Sequence, residues 1–161
     1  MIRFIEYNEK YYNELLNLQI NQWGENSDSD EVLKNISNYN VKLAIDDEAN
    51  LIGTLIYHKK NANCLYIDMI VIKPRYQRIG IGTYFMQYVL DYAKNNHFKI
   101  IECEAIEANN HINSKKLLDN FEFELLESVE NYWGNLYPNF HCKECGNQPC
   151  TCTMHRYIKR L

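Results

Sequence analysis

Apolar positions along this chain fall into two periods. Ile2 and Phe4 alternate with Arg3 and Ile5 over residues 2–7, the two-residue repeat of a short strand. Over residues 9–23, Tyr12, Leu15, Leu16, Ile20 and Trp23 recur at helical spacing, and Gly24 follows as a stop. Glu31, Val32, Leu33 and Ile36 predict a second, shorter helix capped by a Ser or an Asp. Residues 41–45 and 51–58 read as strands joined by the polar turn 46–50, hence a hairpin, and Asn61-Ala62-Asn63 makes the next turn. Residues 64–72 are apolar on both parities, which predicts a strand in mid-sheet with both faces covered. Asp68 is the exception inside it. Pro74 ends that strand, and a long helix is expected from about 77 to 95, with Ile81, Phe85, Tyr88, Val89 and Tyr92 on one face. A strand over 99–106, a short helix over 113–120, and strands over 121–129 and 153–158 complete the chain. The predicted order is β-α-α-β-β-β-α-β-α-β-β, an α/β chain of the α+β kind with a mixed sheet.

Composition narrows the class. A chain of 161 residues, 46% hydrophobic and 24% charged with only 6 Gly and 3 Pro, is neither a disordered tail nor a collagen-like repeat. It is the size of one domain, taken here as residues 1–161 with a Cys-rich knuckle at 141–155. No apolar run approaches the ~18 residues of a membrane span, and the first residues have no continuous hydrophobic stretch of a secretory leader. The expectation is a cytoplasmic protein, monomeric or homodimeric, without a membrane partner. The net charge of −4 argues against a nucleic-acid partner held through a basic surface. Glu25, Asp28, Asp30 and Glu31 cluster, as either a solvated helix N-terminus or a patch that attracts a cationic amine.

The stretch Val71-Ile72-Lys73-Pro74-Arg75-Tyr76-Gln77-Arg78-Ile79-Gly80-Ile81-Gly82-Thr83 carries the clearest chemistry. A buried strand ends, a glycine turn follows, and the turn opens an amphipathic helix whose N-terminus suits a phosphate. It lacks the ending of a phosphate-binding Walker loop and the third glycine of the dinucleotide fingerprint. An apolar strand, Pro74, Gln-x-x-Gly-x-Gly and a long helix resemble the acetyl-CoA signature of the GNAT superfamily of N-acetyltransferases. The resemblance spans most of the chain. It implies that the strand before the signature splays from its neighbour, so that Ile70, Val71, Ile72 and Lys73 face the pantetheine arm. It further implies that the amides of Arg78, Ile79, Gly80, Ile81, Gly82 and Thr83 hold the pyrophosphate, with Arg75 or Arg78 adding charge and the Thr83 hydroxyl adding a hydrogen bond. In the second family motif, His111 stands where an Asn is usual, with Asn109, Asn110 and Asn113 close by to replace it. Leu118 stands on the usual Tyr and Glu122 on the usual Gly, so the family's common acid for the leaving thiolate is missing.

The activity that follows is transfer of an acetyl group from acetyl-CoA to a primary amine, on a small molecule or a protein, by direct attack. The alternative is a non-catalytic acyl-CoA-binding sensor, which the missing Tyr and Gly keep open. Amine attack needs a proton acceptor and a stabilised oxyanion. Backbone amides near Ile70 and Val71 are the oxyanion candidates. Asp68, Glu102 and Glu104 are the candidate bases, with Glu102 and Glu104 on one face of their strand and Cys103 on the other. Glu104 is preferred for its place near the strand end; charged sheet-edge residues and a hydrogen-bonded buried Asp are the competing readings. His111, Tyr84 and Tyr132 are candidate acids, although a thiol with pKa near ~8.5 leaves without one. Tyr132, Trp133 and Tyr137 either wall a substrate pocket or pack the core.

Six cysteines without an export signal do not read as a disulfide framework. Cys64 and Cys103 lie in apolar strands, as small buried hydrophobes. Cys142, Cys145, Cys150 and Cys152 could supply four sulfurs to a structural zinc, with His141 or His155 standing by because Cys-x-Cys ligation is strained in an extended strand. A disulfide pair and free thiols are the alternatives.

Overall fold

In the computed structural model, which describes residues 1–161, both periods resolve into one eight-stranded sheet with helices on its two faces. Strand β1 (Arg3–Glu6) leads to helix α1 (Tyr12–Trp23), closed by Gly24 at φ +107°, where glycine is favoured. Helix α2 (Asp28–Lys34) is capped by the Ser27 hydroxyl, which accepts from the Ser29 amide. Strands β2 (Asn40–Ile45) and β3 (Leu51–Lys59) make the expected hairpin, and β4 (Cys64–Ile72) continues it antiparallel. Helix α3 (Ile81–Asn95) crosses to β5 (Ile100–Ala108), which runs parallel to β4. Then come β6 (His111–Ile112), α4 (Lys115–Asn120), β7 (Glu124–Val129), α5 (Tyr132–Leu136) and β8 (Thr153–Arg160). The strand order is β1-β2-β3-β4-β5-β8-β7, with β6 pairing β5 off that path.

The expected order stands, with β6 and α5 added. Most ends move by one to three residues, and two of the shifts have clear backbone reasons. Helix α3 begins at Ile81 rather than near 77, because Arg78 and Gly80 take φ of 62° and 98°. Strand β7 begins at Glu124 rather than 121, because Glu122 has φ of 59° while Phe123 turns into the core.

One layer of core joins the sheet to α3 and α4 through Phe85, Val89, Ile101 and Leu118. Burying a side chain as fully as Phe85 contributes roughly 1.5–3 kcal/mol. A second layer, with Leu15, Leu33, Leu43 and Met69, joins the opposite face to α1 and α2. A third cluster holds Trp133, Phe140, Met154 and three of the tail cysteines. No helix is long and apolar enough to cross a membrane.

Strand β4 shows why its sequence is apolar on both parities. Ile56 pairs with Met69 but the next residue, Tyr57, pairs with Ile67, so Asp68 is the extra residue of a bulge. The bulge exchanges faces. Leu65 and Ile67 before it, and Ile70 and Ile72 after it, pack in the α3 layer, whereas Met69 and Val71 join the α1–α2 layer. Parallel pairing with β5 covers only Cys64–Ile67 against Ile100–Cys103, yet β4 runs on to Ile72 and β5 to Ala108. Past Asp68 the two strands diverge.

Candidate active site

The gap between β4 and β5 is lined by backbone of known direction. The Lys73 amide donates to the Ile52 carbonyl on β3 at 2.9 Å. Because amides alternate along a strand, Val71 also points to β3, while Ile70 and Ile72 point into the gap. The expectation for Val71 and Lys73 is therefore corrected: their amides belong to the sheet. Of the gap-facing carbonyls, Ile72 already accepts from the Gln77 amide side chain at 2.9 Å. Ile70 has no strand opposite it.

At the end of the gap lies the glycine turn. Gly80 caps α3 in the left-handed region without a side-chain hydrogen bond, so the first amides of the helix, at Ile81, Gly82 and Thr83, have no capping acceptor. Arg78, Ile79, Gly80 and Thr83 are exposed, with Arg75 nearby, and the 15-residue helix adds its dipole. Only backbone is offered by Ile81, whose side chain is buried in the core. A Cβ on Gly82 would sit 3.5 Å from both Ile72 Cδ1 and Leu117 Cδ2, in ordinary contact, so a larger side chain there would crowd the space between β4 and α4. Asn113 is exposed between β6 and α4, two residues before the helix that borders Gly82. The arrangement fits a ligand with an extended amide arm and a diphosphate.

On the α1–α2 side of the gap, three elements bring carboxylates together. Asp68, on the bulge, has a side chain only 8% exposed and accepts from His58 Nδ1 at 2.6 Å. Burial pushes its pKa up to about 6 against the lowering effect of that hydrogen bond, and the charges of Asp28 and Glu104 push the same way. Glu104, on β5, is raised by burial and by Asp28, while Tyr66 and Arg156 lower it. Its Oε1 accepts from Arg156 Nη2 at 3.3 Å, and Arg156 also pairs with Glu127. Asp28 is raised by burial and accepts from Trp133 Nε1 of α5 at 3.2 Å. Tyr66, Tyr132 and Tyr137 surround the three, each with its hydroxyl held protonated first by burial and then by these acids. Glu102 is spent on Lys60, at 2.6 Å. A group of incompletely neutralised carboxylates beside the β4–β5 gap attracts a cation and can take a proton from it.

Two further similarities complete the picture. The family model of the GNAT acetyltransferases matches residues 6–118. The chain belongs to this family. As a GNAT acetyltransferase it is an acyltransferase, and its fold is shared with solved structures at low identity. A GNAT family acetyltransferase from Elizabethkingia anophelis, with acetyl-CoA bound, is 17% identical over 99% of this chain and 98% of that one, with a TM-score of 0.74. A Bacillus subtilis acetyltransferase in complex with CoA is 21% identical over 100% and 99%, with a TM-score of 0.75. A GNAT family acetyltransferase from Staphylococcus aureus is 22% identical over 100% and 99%, with a TM-score of 0.72. Among curated proteins none matches the chain significantly.

In this acetyltransferase the remaining candidates separate. His111 lies on β6, exposed and paired with Ala108, four residues beyond Glu104, or about 13 Å along the strand. The structure does not bring it to the carboxylates. Leu118 is buried in the core, and Tyr84 stacks on Phe4 with ring centroids 3.5 Å apart. Sequence reading missed Asp28 as a partner of Asp68 and Glu104, and missed His58 and Arg156, since their spacing in the chain carries no signal; only the acidic run around Asp28 hinted at it. The four tail cysteines do come together, their sulfurs all within 4.8 Å of one another.

Proposed function

We propose that this enzyme transfers an acetyl group from acetyl-CoA to a primary amine by direct attack on the thioester. The observation that carries the reading is the convergence of Asp28, Asp68 and Glu104 beside the point where β4 and β5 part. The uncapped α3 amides suit the pyrophosphate, and the gap-facing backbone of Ile70 and Ile72 suits the pantetheine arm. The relatives solved with CoA or acetyl-CoA support the same co-substrate.

The ammonium form of the substrate is drawn to the carboxylates and gives its proton to Asp68, whose pKa near 6 leaves it ionised yet basic at neutral pH. Glu104, held by Arg156, stays in place as an electrostatic dock. The neutral nitrogen then attacks the thioester carbonyl, the carbonyl electron pair moves to oxygen, and the Ile70 amide donates to the oxyanion. Collapse breaks the C–S bond and expels CoA thiolate, which takes the remaining extra proton from the acylated nitrogen and leaves as the thiol, so no acid is needed at the position of Leu118, and Asp68 returns its proton to water. This moves the base from Glu104 to Asp68, because burial holds Asp68 at about 6 even with His58 beside it, whereas the permanent charge of Arg156 favours the ionised form of Glu104.

Leu118 favours a second reading, an acyl-CoA sensor without turnover. The test is purified protein with acetyl-CoA and a panel of small amines and amine-bearing peptides, followed by release of free thiol. Thiol release that depends on an amine supports the enzyme. CoA binding by calorimetry with no thiol release across the panel supports the sensor, and failure to bind CoA overturns both.

A further inference from the structure

We propose that Cys142, Cys145, Cys150 and Cys152 hold one zinc ion, and that this knuckle fixes α5 as the outer wall of the carboxylate cleft. Ligand geometry comes first. Zinc bound by four thiolates at about 2.3 Å in a tetrahedron sets its sulfurs about 3.8 Å apart. Here the Cys142 and Cys152 sulfurs are 3.7 Å apart and those of Cys145 and Cys150 are 3.9 Å apart. These are opposite edges of one tetrahedron, and the other edges lie within 4.8 Å. A disulfide would need about 2.05 Å, and all six cysteines of the chain are free. Packing alone asks an apolar cluster to bury thiols, not to aim four sulfurs at one point.

The local backbone removes the objection to Cys-x-Cys ligation. Cys150 and Cys152 precede β8, which starts at Thr153, so neither is held in the sheet ladder, and both sulfurs lie within 4.8 Å of the other two. The Cys152 amide points at the Cys150 sulfur, 3.4 Å away, a contact that favours a thiolate. Neither histidine is needed. His155 is engaged by Ser128 and Glu107, and His141 is exposed. Four protein ligands close the coordination sphere, which makes the site structural, and binding of Zn²⁺ by four thiols releases four protons.

The knuckle touches the elements that shape the cleft. A Cβ on Gly134 of α5 would fall 2.1 Å from the Cys150 carbonyl oxygen, so helix and knuckle are in backbone contact. The Lys143 amide donates to the Trp23 carbonyl at 2.9 Å, and Gln22 Nε2 donates to Glu144 at 2.7 Å, which ties the knuckle to the end of α1. From α5, Trp133 donates to Asp28 at 3.2 Å, and the Tyr132 ring packs edge-on against Trp133 with centroids 5.2 Å apart. The segment between α5 and β8 has no helix or strand of its own to hold this arrangement.

The role in the cleft rests on the amine reading above, whereas metal content does not, so the two fail separately. Protein purified without chelator is expected to carry about one zinc per chain by elemental analysis. Replacement by Co²⁺ is expected to give the thiolate charge-transfer and visible bands of a four-sulfur tetrahedral site. Stripping the metal is expected to lower Tm and to raise KM for the amine about tenfold, the loss of one good polar contact, while Kd for CoA stays within twofold. Added Zn²⁺ restores both. Cys145→Ser, at the most exposed ligand, is expected to lose metal affinity; if that variant fails to fold, the Co²⁺ titration of the wild-type chain decides. Metal-free protein that gives no thiolate–Co²⁺ band overturns the site, and a Kd for CoA that rises as far as KM overturns the wall.

Discussion

Replacing Asp68 by Asn separates the cost of this carboxylate from its use. Asp68 has an ordinary value of 3.8 and stands at about 6 in the folded chain. Between those two values the folded protein binds a proton that the unfolded chain has released, so stability falls as pH rises through the window. Above pH 6 the ionised, buried carboxylate costs up to about 3 kcal/mol relative to its protonated form. Asn keeps an oxygen to accept from His58, and the charge-assisted part of that bond is already contained in this cost, because it is one of the effects that set the pKa. A net gain of up to about 3 kcal/mol is expected at pH 8, or up to about 9 °C in Tm for a chain of this length. Below pH 4 the difference vanishes. The acetylation rate is expected to fall at least ~100-fold, the usual worth of a general base. In the wild type kcat/KM should drop about tenfold per pH unit below pH 6. Thermal unfolding of both proteins from pH 4 to 8.5, beside amine-dependent thiol release, measures all of this. Parallel stability curves, or a variant with wild-type activity, would refute the reasoning.

Glu104→Gln is expected to raise KM for the amine about tenfold with a smaller change in kcat, since it removes the docking charge and leaves Arg156 bound to Glu127; steady-state kinetics on the amine decide. Gly82→Val crowds the space beside Ile72 and Leu117, and is expected to weaken CoA binding at least ~10-fold by calorimetry while the chain stays folded by circular dichroism. Gly134→Ala collides with the Cys150 carbonyl and is expected to cost about 1–3 kcal/mol of stability in denaturant unfolding, with Kd for CoA unchanged.

Periodicity alone yields the element order here, because strands and helices bury apolar side chains at repeats of two and of about 3.6 residues, and both repeats are local. The glycine turn is legible for the same reason: a strand, left-handed residues at Arg78 and Gly80, and an uncapped helix are set by neighbours in sequence. The four cysteines cluster within a short loop, so their convergence is visible too. Asp68 was conspicuous as a polar residue in an apolar strand, but the cause, a bulge against β3, belongs to the pairing of two strands. The acceptor side is decided by tertiary structure alone. Asp28 on α2, Asp68 on β4 and Glu104 on β5 meet because three separate elements pack at one place. The charge state of each depends on burial and on the others, quantities that exist only once the chain has folded. His111 looks like an acid by its place in a motif, and Glu104 looks like a base by its place in a strand. One faces water and the other is held by Arg156, and no local pattern encodes either fact.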